Sequence, residues 1–171
     1  MIKNVSIIIP TTINKILILS INNIINNIIT IMNDINKAKE LLKDDVTCVL
    51  IKNDIVYTSK LKGVAPLLMY VNQNINVEGF CVGDKVIGKA SALLCVYLKV
   101  KEIYAETLSN DGKKILEEYK IPYSYKTLVP FILNRNKDDK CPMEKAVENC
   151  DDPNMAIKLL NDKVNSLKNG K

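Results

Sequence analysis

Lys85 and Lys89 stand four residues apart in EGFCVGDKVIGKASALLCVYL (residues 78–98), the most apolar stretch of the chain outside its N-terminal segment. Gly83 supplies a permissive backbone and Asp84 a side chain suited to capping a first helical turn. Val86, Ile87, Ala90, Leu93, Leu94, Val96 and Leu98 then leave almost no polar face, so the stretch reads as a short extended piece turning into a buried helix. Two ammonium groups on successive turns near the positive end of such a helix, beside free main-chain amides, would favour an anion. The plainer alternative is that both lysines lay their stems on apolar surface and put their charges in water, with Asp84 a simple helix cap. Lys89 is a candidate base or nucleophile, because apolar surroundings disfavour a charged ammonium. Cys141 directly precedes Pro142 and a helix start, where a thiolate is favoured; a structural or ligand-contacting thiol is the alternative. Glu144 falls in that helix's first turn, and Arg135 is the single arginine among 24 basic residues. Its planar guanidinium suits a carboxylate or phosphate, unless its singularity is chance.

What is missing narrows the chemistry. The chain has no histidine, which removes the commonest general base and metal ligand, and with them imidazole-assisted serine or cysteine catalysis. The five cysteines, Cys48, Cys81, Cys95, Cys141 and Cys150, form no CxxC pair, and three lie in apolar segments where a reduced thiol behaves as a small hydrophobe. No metal and no cofactor are expected, and a reducing, cytoplasmic location fits this cysteine usage. The formal charge of +5 comes from lysines that alternate with acids, without a basic block interleaved with aromatics, so no nucleic-acid partner is expected. At 171 residues and 47% hydrophobic, the chain can fill one core.

The elements that must position these residues follow in order. A helix over 35–42 is expected, capped by Asn33 or Asp34. VTCVLIK, Asn53-Asp54 and IVYTS form a hairpin. Pro66 opens a short helix, APLLMYVNQN, which ends near Asn74. The central helix stops near Lys99. KEIYAETL, DGKKILEEYK and IPYSY then form a parallel strand-helix-strand unit with Ser109, Asn110 and Asp111 at the handover. Ligand crevices in such sheets lie past the carboxyl ends of the strands, which would bring Ser109 and Asn110 towards Asp84 and Lys85. After a charged loop, Pro142 opens another helix. Asp152-Pro153 caps a last one over 154–167, whose Ile157, Leu160, Val164 and Leu167 form a core stripe.

Residues 1–31 stand apart, with thirteen isoleucines, six asparagines, two lysines and no acid. Asn22, Asn23, Asn26 and Asn27 spoil a membrane span, and Pro10 with the asparagines spoils a signal peptide. Three readings are open: a loosely attached leader, a weak membrane-surface helix, or translated sequence ahead of a true start at Met32. The last is favoured, because ordinary composition begins there. The expected organisation is thus an extension over 1–31 and a single domain over 32–171, with no membrane partner beyond the weak surface-helix possibility.

Several motifs together, TCVLIKND, GVAPLL, VGDKVIGKASALL, IYAE, IPYSYKTLVPFILNR and CPMEKAV, resemble a small prokaryotic family of unknown function whose fold is similar to that of cytidine deaminases. The resemblance spans about residues 32–167. It implies an α/β, three-layer α/β/α sandwich with a mixed five-stranded sheet. Zinc deaminases activate a metal-bound water with an (H/C)-A-E motif at one helix start and P-C-x-x-C at the next. Here Gly88-Lys89-Ala90 stands where the first is expected and Ser109-Asn110-Asp111-Gly112 where the second is. Deaminase chemistry therefore does not carry over, and only a cleft between two helix starts does.

Two functions follow as expectations. One is a metal-independent enzyme or ligand-binding domain for a small anionic or nucleotide-like molecule. Its catalytic candidates are Lys89, Cys141 and Asp84, and its binding candidates are Lys85, Gly88, Ser109, Asn110, Arg135 and Glu144. The other is a catalytically inactive scaffold acting as a regulatory or protein-interaction module.

Overall fold

The computed structural model describes residues 11–169, with the side chains of residues 11–14, 27 and 30–33 left aside; the expectations for residues 1–10 lie outside the described residues. In chain order the elements are α1 (Thr11–Leu41), β1 (Cys48–Lys52), β2 (Ile55–Ser59), α2 (Ala65–Asn72), β3 (Cys81–Ile87), α3 (Lys89–Tyr97), β4 (Glu102–Ser109), α4 (Asn110–Glu118), β5 (Tyr123–Val129), α5 (Pro142–Ala146) and α6 (Pro153–Asn169). The strands form one mixed sheet in the order β2-β1-β3-β4-β5. β1 pairs antiparallel with β2 and β3, whereas β3, β4 and β5 run parallel through the crossover helices α3 and α4. This is a three-layer α/β domain.

Alternation along the strands divides the core into two. Val49, Ile51, Cys81 and Tyr104 face α1 and meet Ile35, Ala38 and Leu42. Cys48, Leu50, Val82, Ile103 and Ala105 face the other way, into a larger core built by α2, α3, α4 and α6. α3 lies at its centre, with every side chain from Lys89 to Cys95 buried. A helix covered on all sides needs no polar face, which explains its composition.

Three sequence expectations are corrected. Val86 and Ile87 belong to β3, so the strand runs from Cys81 to Ile87 and the turn falls at Gly88. A strand covered on both faces reads as a continuous apolar run, which periodicity cannot separate from a buried helix. Gly83 accordingly makes no turn; it lets α1 approach, and a Cβ there would stand 3.1 Å from the Ala38 carbonyl oxygen. The expected helix over 35–42 is the C-terminal part of the 31-residue α1, and Asp34 lies within it, its carboxylate accepting the Asn53 amide at 2.9 Å. The IPYSY strand also runs further, to Val129.

The two parts of α1 differ sharply. Nine large apolar side chains between Ile16 and Ile29 are 45–61% exposed, while Ile35, Ala38 and Leu42 are buried. A chain beginning at Met32 keeps the described buried contacts of α1, at Asp34, Ile35, Ala38 and Leu42, so it is expected to retain a single cooperative calorimetric transition. Loss of that transition would assign the earlier residues to the core. Among the described residues no helix is long and apolar enough to cross a membrane.

Candidate functional site

The register of the parallel strands sets two helix starts side by side. Ile87 of β3 is level with Leu108 of β4, so Gly88 and Ser109, the N-caps of α3 and α4, emerge together. Ser109 is fully buried, and its Oγ accepts the Gly112 amide at 3.0 Å, satisfying one donor of α4's first turn. Gly112 then presses on the neighbouring turn: a Cβ on it would meet the Gly88 carbonyl carbon at 2.9 Å and the oxygen at 3.0 Å.

α3 receives no cap from its own N-cap residue. The capping group comes from α5, where the Glu144 carboxylate accepts the Lys89 amide at 2.8 Å through Oε2 and the Ala90 amide at 3.0 Å through Oε1. A Cβ at position 88 would fall 2.4–2.6 Å from that carboxylate. Gly88 has an ordinary extended conformation, φ −102° and ψ −171°, so its glycine is required for space. Glu144 is only 4% exposed. Burial raises its carboxyl above the ordinary glutamate range, while the two amides and the Lys140 charge oppose that rise. The helix-dipole position expected to receive an external anion thus holds an anion of the chain.

Lys89 is 9% exposed, and its ammonium has two partners. Nζ donates to the Glu148 carbonyl at 2.7 Å and pairs with Asp151 at 2.8 Å. That hydrogen bond holds the Asp151 carboxyl below the ordinary aspartate range. Lys140 bridges the neighbouring charges, 2.8 Å from Glu148 and 3.7 Å from Asp111. The start of α3 is therefore tied to the segment 140–151 by one carboxylate and one ammonium.

The remaining candidates are distributed differently from expectation. Asp84 does not cap α3: it lies within β3, 4% exposed, its Oδ1 accepting the Val86 amide at 2.9 Å. Oδ2 has no hydrogen-bond partner, and Cys48 is the residue paired with Asp84 on the neighbouring strand. Burial pushes this carboxyl up to about 7. Lys85 is also a strand residue and donates to the Asp44 carbonyl at 2.6 Å, so it shares no helix with Lys89. Ser109 comes beside Gly88 rather than Asp84, and Asn110 is exposed at the first position of α4. Cys141 is the half-buried N-cap of α5, its amide donating to the Ile132 carbonyl at 2.8 Å. Arg135 is exposed in the loop before it, and no hydrogen bond or ion pair among the described residues ties it to Lys89 or Glu144.

Sequence reasoning missed Lys140, Glu148 and Asp151, whose partners are distant in the chain. The signal for Glu144 was its place in the first turn of the helix that Pro142 opens, which identified the residue but not its hold on the α3 amides. Among the described residues no three Cys, Asp or Glu side chains converge to hold a metal. Two surface depressions, of about 290 and 340 Å³, lie at the opposite end of α3, around Lys99, Tyr119 and Lys120 and around Tyr70, Asn74 and Tyr97.

Fold and site together define a three-layer α/β domain, without an evident metal site among its described residues, in which the meeting point of two crossover helices is closed by a side chain of the domain's own. Residues 36–164 match the TM1506 family, a domain of unknown function (DUF1893), and the chain belongs to that family. Its fold is similar to the crystal structure of a DUF1893 family protein (TM1506) from Thermotoga maritima, with a TM-score of 0.71 and 30% identity over 77% of this chain and 90% of that one. A comparison with curated proteins gives no match.

Proposed function

We propose that this domain is a catalytically inactive regulatory or protein-interaction module, with a cytidine deaminase-like cleft that its own Glu144 keeps shut. The observation that carries this reading is the bidentate hold of Glu144 on the Lys89 and Ala90 amides. On this reading the space that a zinc deaminase gives to a metal-bound water and substrate is taken by a carboxylate, which the close approaches at Gly88 and Gly112 support. Lys89, the strongest catalytic candidate, has its ammonium committed to Asp151 and the Glu148 carbonyl.

One observation favours a second reading, in which a small anionic ligand displaces Glu144. The Lys140 ammonium acts on the Glu144 charge, so the emptied space would offer two amides with a cation nearby, bordered by Gly88 and Ser109, with Asn110 and Cys141 at its edges. Thermal-shift titrations with inorganic phosphate, formate and nucleoside phosphates separate the two. The scaffold reading expects no site-specific shift for the parent chain, and stabilisation of Glu144→Ala by formate, which restores a carboxylate to the vacated amides. An anion at a hundred times its Kd adds about 2.7 kcal/mol of stability, well within detection. Such a shift in the parent, lost when Lys140 is replaced by methionine, would overturn the scaffold reading in favour of the ligand-binding one.

A further inference from the structure

We propose that the exposed N-terminal half of α1 is a self-association helix, docking against the same helix of other copies of this chain. Leu17, Ile21, Ile24 and Ile28 follow a 4-3-4 spacing, and the same register continues into Ile35, Ala38 and Leu42, the stripe that α1 buries on its own sheet. One helical seam thus runs the length of the helix. Its C-terminal half is covered by the domain, and its N-terminal half is uncovered, with those four side chains 45–58% exposed. Ile18 and Ile25 widen the uncovered half on one flank, whereas Asn22, Asn23 and Asn26 lie on the other side of the helix.

Area and charge identify the occupant. The six side chains of the seam and its flank, Leu17, Ile18, Ile21, Ile24, Ile25 and Ile28, each about half exposed, present on the order of 500 Å² of apolar surface on one face, the size of patch that marks an interaction surface. A patch of this size on one helix requires cover. From residue 16 to residue 33 the chain carries no charged side chain, so adjacent copies meet no like-charge repulsion. A helix that lies on a membrane surface instead carries lysine and arginine along its polar face, and here the opposite side carries Asn22, Asn23 and Asn26 with Ile16 and Leu19 and no charge from residue 16 to residue 33. Isoleucine at both kinds of seam position favours three or more helices over two.

Sedimentation equilibrium on the full chain, in parallel with flotation on vesicles of phosphatidylcholine and phosphatidylglycerol, tests the proposal. The expected parent is a defined oligomer of at least three 19.2 kDa chains that does not float with the vesicles. Ile21→Asn combined with Ile28→Asn is expected to lower the mass about threefold, to the monomer, with the circular dichroism of the folded domain retained. Ile16→Asn combined with Leu19→Asn removes as much apolar surface from the opposite side and is expected to leave the oligomer intact. A monomeric parent, a parent that floats as a monomer, an aggregate without defined mass, or an oligomer insensitive to the seam substitutions would each overturn the proposal.

Discussion

Gly88→Ala is expected to destabilise the domain by about 3–5 kcal/mol, a fall in Tm of roughly 10–15 °C for a chain of this length. The added methyl would lie 2.4–2.6 Å from the buried Glu144 carboxylate, which is held by two main-chain amides. The carboxylate must retreat, which strips the Lys89 and Ala90 amides of their acceptor and leaves a buried charge without its donors. Glu144→Ala is expected to cost less, about 1–3 kcal/mol, because it removes the buried charge along with the cap. The decisive measurement is the double-mutant cycle by denaturant unfolding. With Glu144 already alanine, Gly88→Ala should become nearly neutral, giving a coupling of at least about 2 kcal/mol. Additive losses would show that the glycine serves some other contact.

Asp84→Asn is expected to stabilise the protein above pH 7 and to flatten its pH dependence. The folded carboxyl titrates at about 7, well above the ordinary 3.8 of an exposed aspartate, so between those values the native state holds a proton that the unfolded chain has lost. The stability this contributes is fully present below about pH 4 and is lost as pH rises through 7. At about 1.36 kcal/mol per pH unit, the gap of about three units corresponds to at most about 4 kcal/mol. Asparagine can still accept the Val86 amide and has no proton to lose. Unfolding free energies measured from pH 5 to pH 8 should therefore fall steeply for the parent and shallowly for the variant, the curves converging at the acid end. A residual downward slope is assigned to Glu144 and Glu102, whose carboxyls burial also raises. Asp45, Asp139, Glu148 and Asp151 are held low by lysine partners and act in the opposite sense, weakened by their exposure. Parallel curves for parent and variant would refute the assignment to Asp84.

The order of elements was legible because local signals mark it. Pro66 and Pro142 open helices, Asn53-Asp54 turns the hairpin, Ser109 caps α4 and Asp152 caps α6 through the Met155 amide. The errors fell where burial erases periodicity, as in β3, where residues 81–87 are apolar on both faces apart from Asp84 and Lys85. The candidate site was legible as a place more than as a set of contacts. Gly88, Lys89, Ser109 and Glu144 do come together, but that Glu144 occupies the amides of α3 depends on contacts across 54 and 55 residues, which no local pattern encodes. The 4-3-4 seam of α1 is present in the sequence but is masked by composition, because isoleucines also stand at other positions of the same turns and blur the period.

The distance between Lys89 and Glu144 also fixes an order of events. All five strands are encoded before residue 130, so on a growing chain the whole sheet has been made before the carboxylate that completes the central helix. Until then α3 begins on bare amides, with the apolar surface of its first turn uncovered by α5 and α6. Domains fold as units once their parts are available, and this unit stays unfinished until its C-terminal forty residues arrive. Chains that stall or are clipped ahead of Glu144 thus resemble the finished domain in sequence while lacking its closure, and they are the forms that cellular quality control would meet as incomplete.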